Sequence, residues 1–185
     1  MRDGELQLVP LGEQYLEFMR ITRRAVGNYL FSPDHVITTV MQRAWYRDYL
    51  AAKDRRIWVA THRGESVGYA QLTHIDHHNQ SAEAGFVIAP VHQGKGCGRA
   101  MVLALLHLNQ CLHRIEVRTF AWNERAITLY ATCGFEHEGV LRDAVWKNGQ
   151  HHDVGVMAWL DKGGNHESTH TMVERNALYP VWACL

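Results

Sequence analysis

A glycine-rich segment near the middle of the chain constrains its fold more than any other stretch. Residues 91–100 read Val-His-Gln-Gly-Lys-Gly-Cys-Gly-Arg-Ala. They follow residues 82–89, whose alternation predicts a strand, and lead into residues 99–112, which are apolar on nearly all sides and predict a buried helix. Alternate glycines let backbone N–H groups converge, and the first turn of a helix adds unpaired N–H groups and the positive end of its dipole. The segment therefore predicts an anion-binding turn suited to a diphosphate.

Two common nucleotide-binding turns do not fit this segment. The P-loop requires Gly-Lys followed by Ser or Thr, and the sequence contains no such tripeptide. The dinucleotide fingerprint GxGxxG fails in the frames of Gly94 and Gly96, and hairpins rather than a βαβ unit precede the turn. A tight turn without a ligand remains the alternative for this segment taken by itself.

Periodicity and turn residues on both sides of the segment predict an α+β domain. Asn148-Gly149 predicts a tight hairpin, and Gly134 predicts the end of a helix that Asn123 caps. The predicted elements in chain order are a strand at residues 6–10, helices at 12–24 and 36–52, strands at 57–61, 67–75 and 82–89, a helix at 99–112, a strand at 114–120, a helix through 132, and strands at 135–146 and 152–160. We expect one domain at residues 1–160 and a C-terminal tail or edge element at residues 161–185.

The composition argues against several classes of partner. Lys and Arg number 19 and so do Asp and Glu, so no net charge attracts nucleic acid. No run approaches the ~20 apolar residues that a membrane helix needs, and the charged start predicts no secretory signal. The four cysteines form no CxxC pair, which is typical of reduced thiols in the cytoplasm. We expect a cytoplasmic protein with neither a nucleic-acid nor a membrane partner.

The histidines, 13 in number, raise the question of a metal site. The groups His74, His77, His78 and His151, His152 have no standard ligand spacing, and no cysteine or carboxylate group completes them. We therefore expect exposed loop histidines and no metal.

Two motifs together resemble those of a known enzyme family. Gln93-x-x-Gly96-x-Gly98, after a strand ending in Ile-Ala-Pro, resembles the (Arg/Gln)-x-x-Gly-x-(Gly/Ala) motif of GNAT acetyltransferases. Residues 123–130, Asn-Glu-Arg-Ala-Ile-Thr-Leu-Tyr, with the later Gly-Phe-Glu, Glu-Gly and Asn-Gly pairs and Asp153, resemble the branch of spermidine and ribosomal-protein acetyltransferases. The resemblance covers roughly residues 5–160. It implies a mostly antiparallel twisted sheet flanked by helices, and transfer of an acetyl group from acetyl-CoA to a primary amine.

The resemblance also implies where the coenzyme binds. In the family, the strand before the turn carries a bulge and splays from its neighbour, and the pantetheine arm pairs with the exposed backbone, here Phe86, Val87 and Ile88. The diphosphate would lie on the turn, mainly on backbone amides, at Gln93, Gly94, Lys95, Gly96, Cys97, Gly98 and Arg99. The side chain of Asn123 would bind the pantetheine; a helix cap is its alternative role, and the two are compatible.

The resemblance assigns Tyr130 as the acid that contacts the coenzyme and protonates its departing thiolate, which suits a neutral phenol. Core packing is the alternative, because Tyr130 falls on the apolar face of its helix.

A primary amine has a pKa near ~10, so a base must take a proton from the amine before its nitrogen attacks the thioester. Glu83, on the same strand face as Gly85, is the candidate base, directly or through water; a solvated strand charge is its alternative. No covalent intermediate is needed, so Cys97 and Cys133 are interpreted as packing residues.

The resemblance implies an acceptor pocket built by the first two helices and the last hairpin. The candidate residues are Tyr29, Phe31, Asp34, His35, Trp45, Trp146 and Asp153, with His152 as a further possibility. Aromatic rings with a few carboxylates suit a cationic amine, which leaves open a small-molecule amine (a polyamine, amino acid or amino sugar) or a protein N-terminus. A non-catalytic acyl-CoA-binding sensor is the alternative function. A homodimer is common in the family and possible here.

Overall fold

In the computed structural model, which describes residues 6–32 and 36–162, seven strands form one sheet in the order β1-β2-β3-β4-β5-β7-β6. Neighbouring strands are antiparallel except β4 and β5, which are parallel. The strands are β1 (Leu6–Pro10), β2 (Arg56–His62), β3 (Glu65–Asp76), β4 (Ser81–Ile88), β5 (Arg114–Phe120), β6 (Glu136–Lys147) and β7 (Gln150–Leu160). The predicted α+β class and mostly antiparallel sheet are confirmed.

The helices cover both faces of this sheet. They are α1 (Leu16–Ala25), α2 (Thr39–Ala51), α3 (Cys97–Leu108) and α4 (Glu124–Thr132). Val87 of β4 packs into the core beneath α1 and α2, whereas Ala82 and Ala84 pack into the core beneath α3 and α4. The two faces follow from the period-two alternation that the sequence shows in this strand. These two sides of the sheet are called the α1 face and the α3 face.

The sheet divides at its one parallel junction. β4 pairs with β5 only from Ser81 opposite Arg114 to Ala84 opposite Val117. Beyond that point β4 stays paired with β3 up to Ile88, and β5 stays paired with β7 up to its last residue, so the two strands diverge. The resulting gap is the splay that the resemblance implies.

The expected bulge in β4 is wrong. The register of β4 against β3 is regular from Glu83 to Ile88. The irregularity lies instead on β3, between Thr73 and Asp76, where His74 has a φ of 51°. The gap therefore opens because each strand follows its own antiparallel neighbour, without an extra residue in β4.

Local turn chemistry decides most of the element boundaries. Asn148 and Gly149 have φ values of 50° and 79°, as a primed hairpin turn requires, so the predicted hairpin is confirmed. α3 ends at Leu108, earlier than the predicted residue 112, because the Asn109 side chain donates to the Leu105 carbonyl at 2.8 Å and its own backbone leaves the helical region. α2 begins after Thr38, whose hydroxyl accepts from the Met41 N–H at 3.2 Å.

A backbone hydrogen bond to the sheet follows the last strand. β7 ends at Leu160, and the Asp161 N–H donates to the His113 carbonyl at 2.8 Å. Of the predicted tail or edge element at residues 161–185, residues 163–185 lie outside the described residues. Among the described helices, none has the length and apolarity that a membrane span requires.

Candidate active site

A cavity of about 640 Å³ occupies the gap between β4 and β5. Residues 83–88 of β4 form one wall. On the α3 face the cavity reaches Gly94 and Gly98 of the glycine-rich turn, and on the α1 face it reaches residues 29–32 and Arg23. The cavity therefore extends through the gap from one face of the sheet to the other.

The glycine turn presents backbone at the mouth of this passage. Gly94 and Gly96 have φ values of 75° and 83°, which side chains rarely adopt, and Gly96 precedes the first residue of α3. A Cβ added at Gly94 would meet no atom within 4 Å, so open space lies beside its backbone. The N–H groups of Gly98 and Arg99 come before the first helical hydrogen bond, which Ala100 donates to the Gly96 carbonyl at 3.2 Å. This arrangement can bind an anion.

The residues of the turn differ in how they meet the cavity. Gln93, Gly94 and Gly98 line it, whereas Lys95, Gly96, Cys97 and Arg99 do not. Lys95 and Arg99 are exposed at the rim. The Cys97 side chain is 3% exposed and packs in the core, so only its backbone is placed to face a ligand.

Backbone direction in β4 decides which groups the gap exposes. The Ala89 N–H donates to β3 at 2.9 Å, so odd-numbered residues of this strand direct their backbone towards β3. The Gln80 carbonyl accepts from the start of β5 at 3.1 Å, so even-numbered residues face β5. Phe86 and Ile88 thus direct backbone groups into the gap, while those of Val87 are directed to β3. The prediction for pantetheine pairing is narrowed to Phe86 and Ile88.

Gln93 links the turn to β4 and α4. Its Nε2 donates to the Ile88 carbonyl at 3.0 Å, and its Oε1 accepts from the Arg125 guanidinium at 2.9 Å. Arg125 also lines the cavity, which places a fixed positive charge beside the turn. Sequence reasoning missed Arg125, although its position two residues after the Asn123 cap offered a signal.

Tyr130 lies on the α3 face of the gap, opposite Glu83 on the α1 face. It extends from α4, its ring contacts Phe86 at a centroid distance of 6.0 Å and Phe135 at 5.7 Å, and it lines the cavity. Burial, with a smaller contribution from Cys133, raises the pKa of Tyr130 well above its ordinary value. Within the described residues, no side chain or backbone group hydrogen-bonds its hydroxyl. The phenol is therefore neutral and has a proton to donate to a ligand.

Asn123 caps α4, as its alternative role predicts. Its Oδ1 accepts from the Ala126 N–H at 3.3 Å, and its Nδ2 donates to the Thr119 hydroxyl at 3.1 Å. It also lines the cavity, and its second amide hydrogen is not used by these contacts. The pantetheine contact of Asn123 stays a prediction.

Glu83 stands on the α1 face at the closed base of the gap. Its side chain is 29% exposed, and its Oε2 lies 3.6 Å from His74 Nδ1 and 3.7 Å from Arg118 Nε. Arg118 is held more tightly by Glu116, which accepts from its Nε at 2.7 Å. Glu83 thus keeps hydrogen-bonding capacity towards the cavity that it lines.

Aromatic rings form the outer wall on the α1 face. Phe120 stacks on Trp122 at 5.0 Å and meets Phe31 edge-on at 4.9 Å, and Tyr29 lies 5.7 Å from Trp122. His152 supports this group from behind, because its Nδ1 accepts from the Trp122 indole N–H at 3.3 Å and the ring is absent from the cavity wall. The predicted acceptor residues Tyr29 and Phe31 therefore line the cavity, together with Trp122, which sequence reasoning missed.

Three predicted acceptor residues do not reach the cavity. Trp45 packs against Tyr49 at 5.8 Å, Trp146 is 64% exposed on the hairpin, and Asp153 accepts from the Asp143 N–H at 2.8 Å. Asp34 and His35 lie outside the described residues. Sequence spacing could not place these side chains, because the positions of α2 and the long hairpin are set by packing.

Among residues 6–32 and 36–162, no group of three or more His, Cys, Asp or Glu side chains could hold a metal ion. The His74 ring instead faces Glu83, and His151 packs on Trp146 at 4.7 Å.

Known proteins resemble this chain in sequence and in overall fold. A spermidine N(1)-acetyltransferase of Vibrio cholerae is 29% identical over 72% of this chain and 79% of its own length. A ribosomal N-acetyltransferase-like protein of Bacillus subtilis is 26% identical over 81% of this chain and 86% of its own. The crystal structure of the Vibrio cholerae spermidine N-acetyltransferase with CoA and spermine superposes with a TM-score of 0.80 at 28% identity, covering 84% of this chain and 95% of that one. The sequence profile of the Acetyltransferase (GNAT) family matches residues 22–135. The chain therefore belongs to the GNAT family of acetyl-CoA-dependent acetyltransferases.

Proposed function

We propose that this chain transfers the acetyl group of acetyl-CoA to a primary amine by direct attack in a ternary complex, with Tyr130 as general acid and Glu83 as general base. One observation carries the proposal: a single cavity passes through the sheet and has the glycine turn and Tyr130 on the α3 face and Glu83 on the α1 face. A donor thioester entering from one face meets an amine entering from the other.

Coenzyme binding uses backbone more than side chains. The N–H groups of the glycine turn and of the first turn of α3 favour a diphosphate, and Lys95, Arg99 and Arg125 add positive charge nearby. Phe86 and Ile88 offer the backbone that a pantetheine amide pairs with, in the manner of an added strand. Ile88 offers mainly its N–H, because Gln93 already donates to its carbonyl.

The reaction needs one proton removed and one supplied. Glu83 takes a proton from the acceptor ammonium, directly or through a water, so that the nitrogen lone pair can attack the thioester carbonyl. A C–N bond forms, the C–S bond breaks with its electron pair on sulfur, and Tyr130 donates its proton to that sulfur. The nitrogen loses its second proton to Glu83 or solvent and Tyr130 is reprotonated, so the net reaction releases one proton.

The relatives leave the acceptor class open for this chain. The Vibrio cholerae protein is a spermidine acetyltransferase and the Bacillus subtilis protein is ribosomal N-acetyltransferase-like, so the proposal covers a small-molecule amine or a protein N-terminus. We expect the enzyme to act in the cytoplasm, and a homodimer is compatible with this proposal. A neutral, buried Tyr130 opposite a carboxylate favours catalysis over the non-catalytic sensor, which has no use for either group.

Saturating acetyl-CoA is expected to raise the melting temperature, whereas ATP and NAD leave it unchanged. At about a hundredfold excess over Kd, binding contributes roughly 2.7 kcal/mol, which corresponds to about 5–10 °C for a domain of this size. Differential scanning fluorimetry measures the shift, and free-thiol release with added amines then separates an enzyme from a sensor. A shift with ATP and none with acetyl-CoA contradicts the proposal.

Replacing Glu83 with glutamine is expected to lower kcat/KM about 10²-fold near neutral pH, the lower end for a positioned base, because water reaches this site and can replace the carboxylate. The deficit should shrink as the pH approaches the pKa of the acceptor, near ~10, where the amine needs no base. Steady-state rates across pH measure this. The matched control is Glu136→Gln, a strand carboxylate that pairs with Lys162 at 2.9 Å and lies outside the cavity wall. An equal loss in both variants, or no recovery at high pH, removes Glu83 as the base.

A further inference from the structure

Among the described residues, the cavity wall has no excess of the negative charge that would favour a polycation. Among the wall residues that the structure describes, Arg23, Arg118 and Arg125 carry positive charge, against only Glu83 and Glu124. Arg125 is engaged at the glycine turn and Glu124 begins α4, which leaves Arg23, Arg118 and Glu83 in the rest of the described wall. Glu116, outside the wall, pairs with Arg118. A polyamine carries a positive charge on each amino group, and like charges brought together in a partly enclosed site repel.

Arg118 is the cation of the cavity wall that lies beside Glu83. Its Nε lies 3.7 Å from the Glu83 carboxylate and donates to Glu116 at 2.7 Å. Its two terminal nitrogens have no hydrogen-bond partner among the described residues, and its side chain is 43% exposed. A fixed guanidinium with open donors beside the base is a site for a carboxylate.

The spacing of the two charges fits one chemical class. In an α-amino acid the amino nitrogen and the carboxylate carbon are separated by two bonds of about 1.5 Å, or roughly 2.5 Å in space. An amino group hydrogen-bonded to Glu83 therefore brings its own carboxylate within reach of Arg118. Gly85, between Glu83 and Val87 on the same face, makes room for the side chain of Gln71, which lines the cavity beside this pair and lies 3.0 Å from the position of an added Cβ.

The remaining walls describe the side chain of that acceptor. Tyr29, Phe31 and Trp122 surround the opening on the α1 face with aromatic surface. Arg23 lies near the Tyr69 hydroxyl, whose pKa is raised by burial and lowered to a lesser extent by Arg23. An apolar or aromatic side chain fits against the rings.

Resting on the proposed function, we propose that the acceptor is a free α-amino acid with an apolar or aromatic side chain, its amino group at Glu83 and its carboxylate on Arg118. The chemistry is unchanged: the amino nitrogen takes the acetyl carbon from sulfur, Tyr130 protonates the sulfur and one proton is released. The carboxylate of the bound amino acid would offset the positive charge of Arg118. Glu83 would then accept a proton from the amino group more readily. A peptide N-terminus lacks this carboxylate and is disfavoured.

The test compares acceptors that differ only in the carboxylate. Thiol release from acetyl-CoA is measured with phenylalanine against 2-phenylethylamine, with methionine against 3-(methylthio)propylamine, and with spermidine, correcting each rate for the fraction of free amine. We expect kcat/KM for each amino acid to exceed that of its decarboxylated partner by about 10- to 100-fold, the worth of a charge-assisted hydrogen bond. In Arg118→Gln this ratio is expected to fall to about one.

Arg114→Gln is the matched control, because Arg114 also pairs with Glu116 on the same strand and face but lies outside the cavity wall. Its ratio should remain that of the wild type. A decarboxylated amine or spermidine used as well as the amino acids, or a ratio that Arg118→Gln leaves intact, overturns the inference while the acetyltransferase function stands. Acetyl-CoA binding without acetylation of any amino acid also overturns it. Absence of acetyl-CoA binding contradicts the proposed function itself.

Discussion

Replacing Tyr130 with phenylalanine is expected to lower kcat by a factor on the order of 10² to 10⁴, the usual contribution of a positioned acid. The ring keeps its contacts with Phe86 and Phe135, so coenzyme binding should change little. The hydroxyl has no partner in the described chain, so its loss should cost little stability. kcat and kcat/KM should fall together, because the proton matters only as charge develops on sulfur. Steady-state kinetics and a thermal melt of the purified variant measure both quantities.

Tyr46→Phe provides the matched control for this change. The Tyr46 hydroxyl donates to the Leu11 carbonyl at 3.4 Å, and the residue packs under the α1 face away from the cavity wall. This variant should lose about 0.5–1.5 kcal/mol of stability and keep its turnover. Turnover within threefold of wild type for Tyr130→Phe would leave proton delivery to water and support the packing role.

Gly94→Val is expected to weaken acetyl-CoA binding by a factor on the order of 10² or more, since the branched side chain occupies the space beside the backbone where the diphosphate would lie. Each hydrogen bond to a charged group is worth about 1.5–3 kcal/mol, and displacing the diphosphate removes more than one. The open space beside Gly94, with no atom within 4 Å of an added Cβ, means that the protein itself does not clash. Isothermal titration with acetyl-CoA measures the effect.

Backbone strain is separated from this effect by Gly64→Val. Gly64 has a φ of 82°, against 75° at Gly94, and an added Cβ at Gly64 also meets nothing within 4 Å. Both variants should therefore lose a similar one to two kcal/mol of stability, roughly the strain of a side chain in this region. Only Gly94→Val should lose coenzyme affinity. Equal affinities in the two variants would mean that the diphosphate binds elsewhere.

Much of the fold follows from local sequence. The alternation in residues 81–88 sets which side chains of β4 face each layer of helices, because successive residues of a strand point to opposite faces. Asn148 and Gly149 specify their turn because both must adopt positive φ. The helix α3 ends before the residue that apolar periodicity predicts, because the hydrogen bond from the Asn109 side chain to the Leu105 carbonyl competes with the helix and leaves no trace in that periodicity.

The residues of the candidate site also fall into two groups: those that local sequence predicts and those that only the tertiary structure reveals. Residues that lie on the turn or directly before it, such as Gly94, Phe86 and Glu83, could be found from motifs, because their positions are local to one strand and one helix. Arg118 and Trp122 could not, since only the parallel pairing of β5 with β4 brings them to the gap. Trp45 and Trp146 were expected in the acceptor pocket, but side-chain packing holds them elsewhere.

The sequence by itself determined the elements of the proposed coenzyme site: a strand, a glycine turn and a helix that converge backbone N–H groups, and a capped helix that carries Tyr130. Steric freedom at glycine and the periodicity of strand and helix are properties of short segments, so they need no distant partner. Only the tertiary structure decided which side chains surround the proposed acceptor position. The divergence of β4 from β5 opens the sheet, turns the backbone of Phe86 and Ile88 rather than Val87 to the gap, and places Arg118 within 3.7 Å of Glu83. Those relations depend on how strands far apart in the chain pair, because pairing fixes both the direction of each backbone group and the neighbours of each charge.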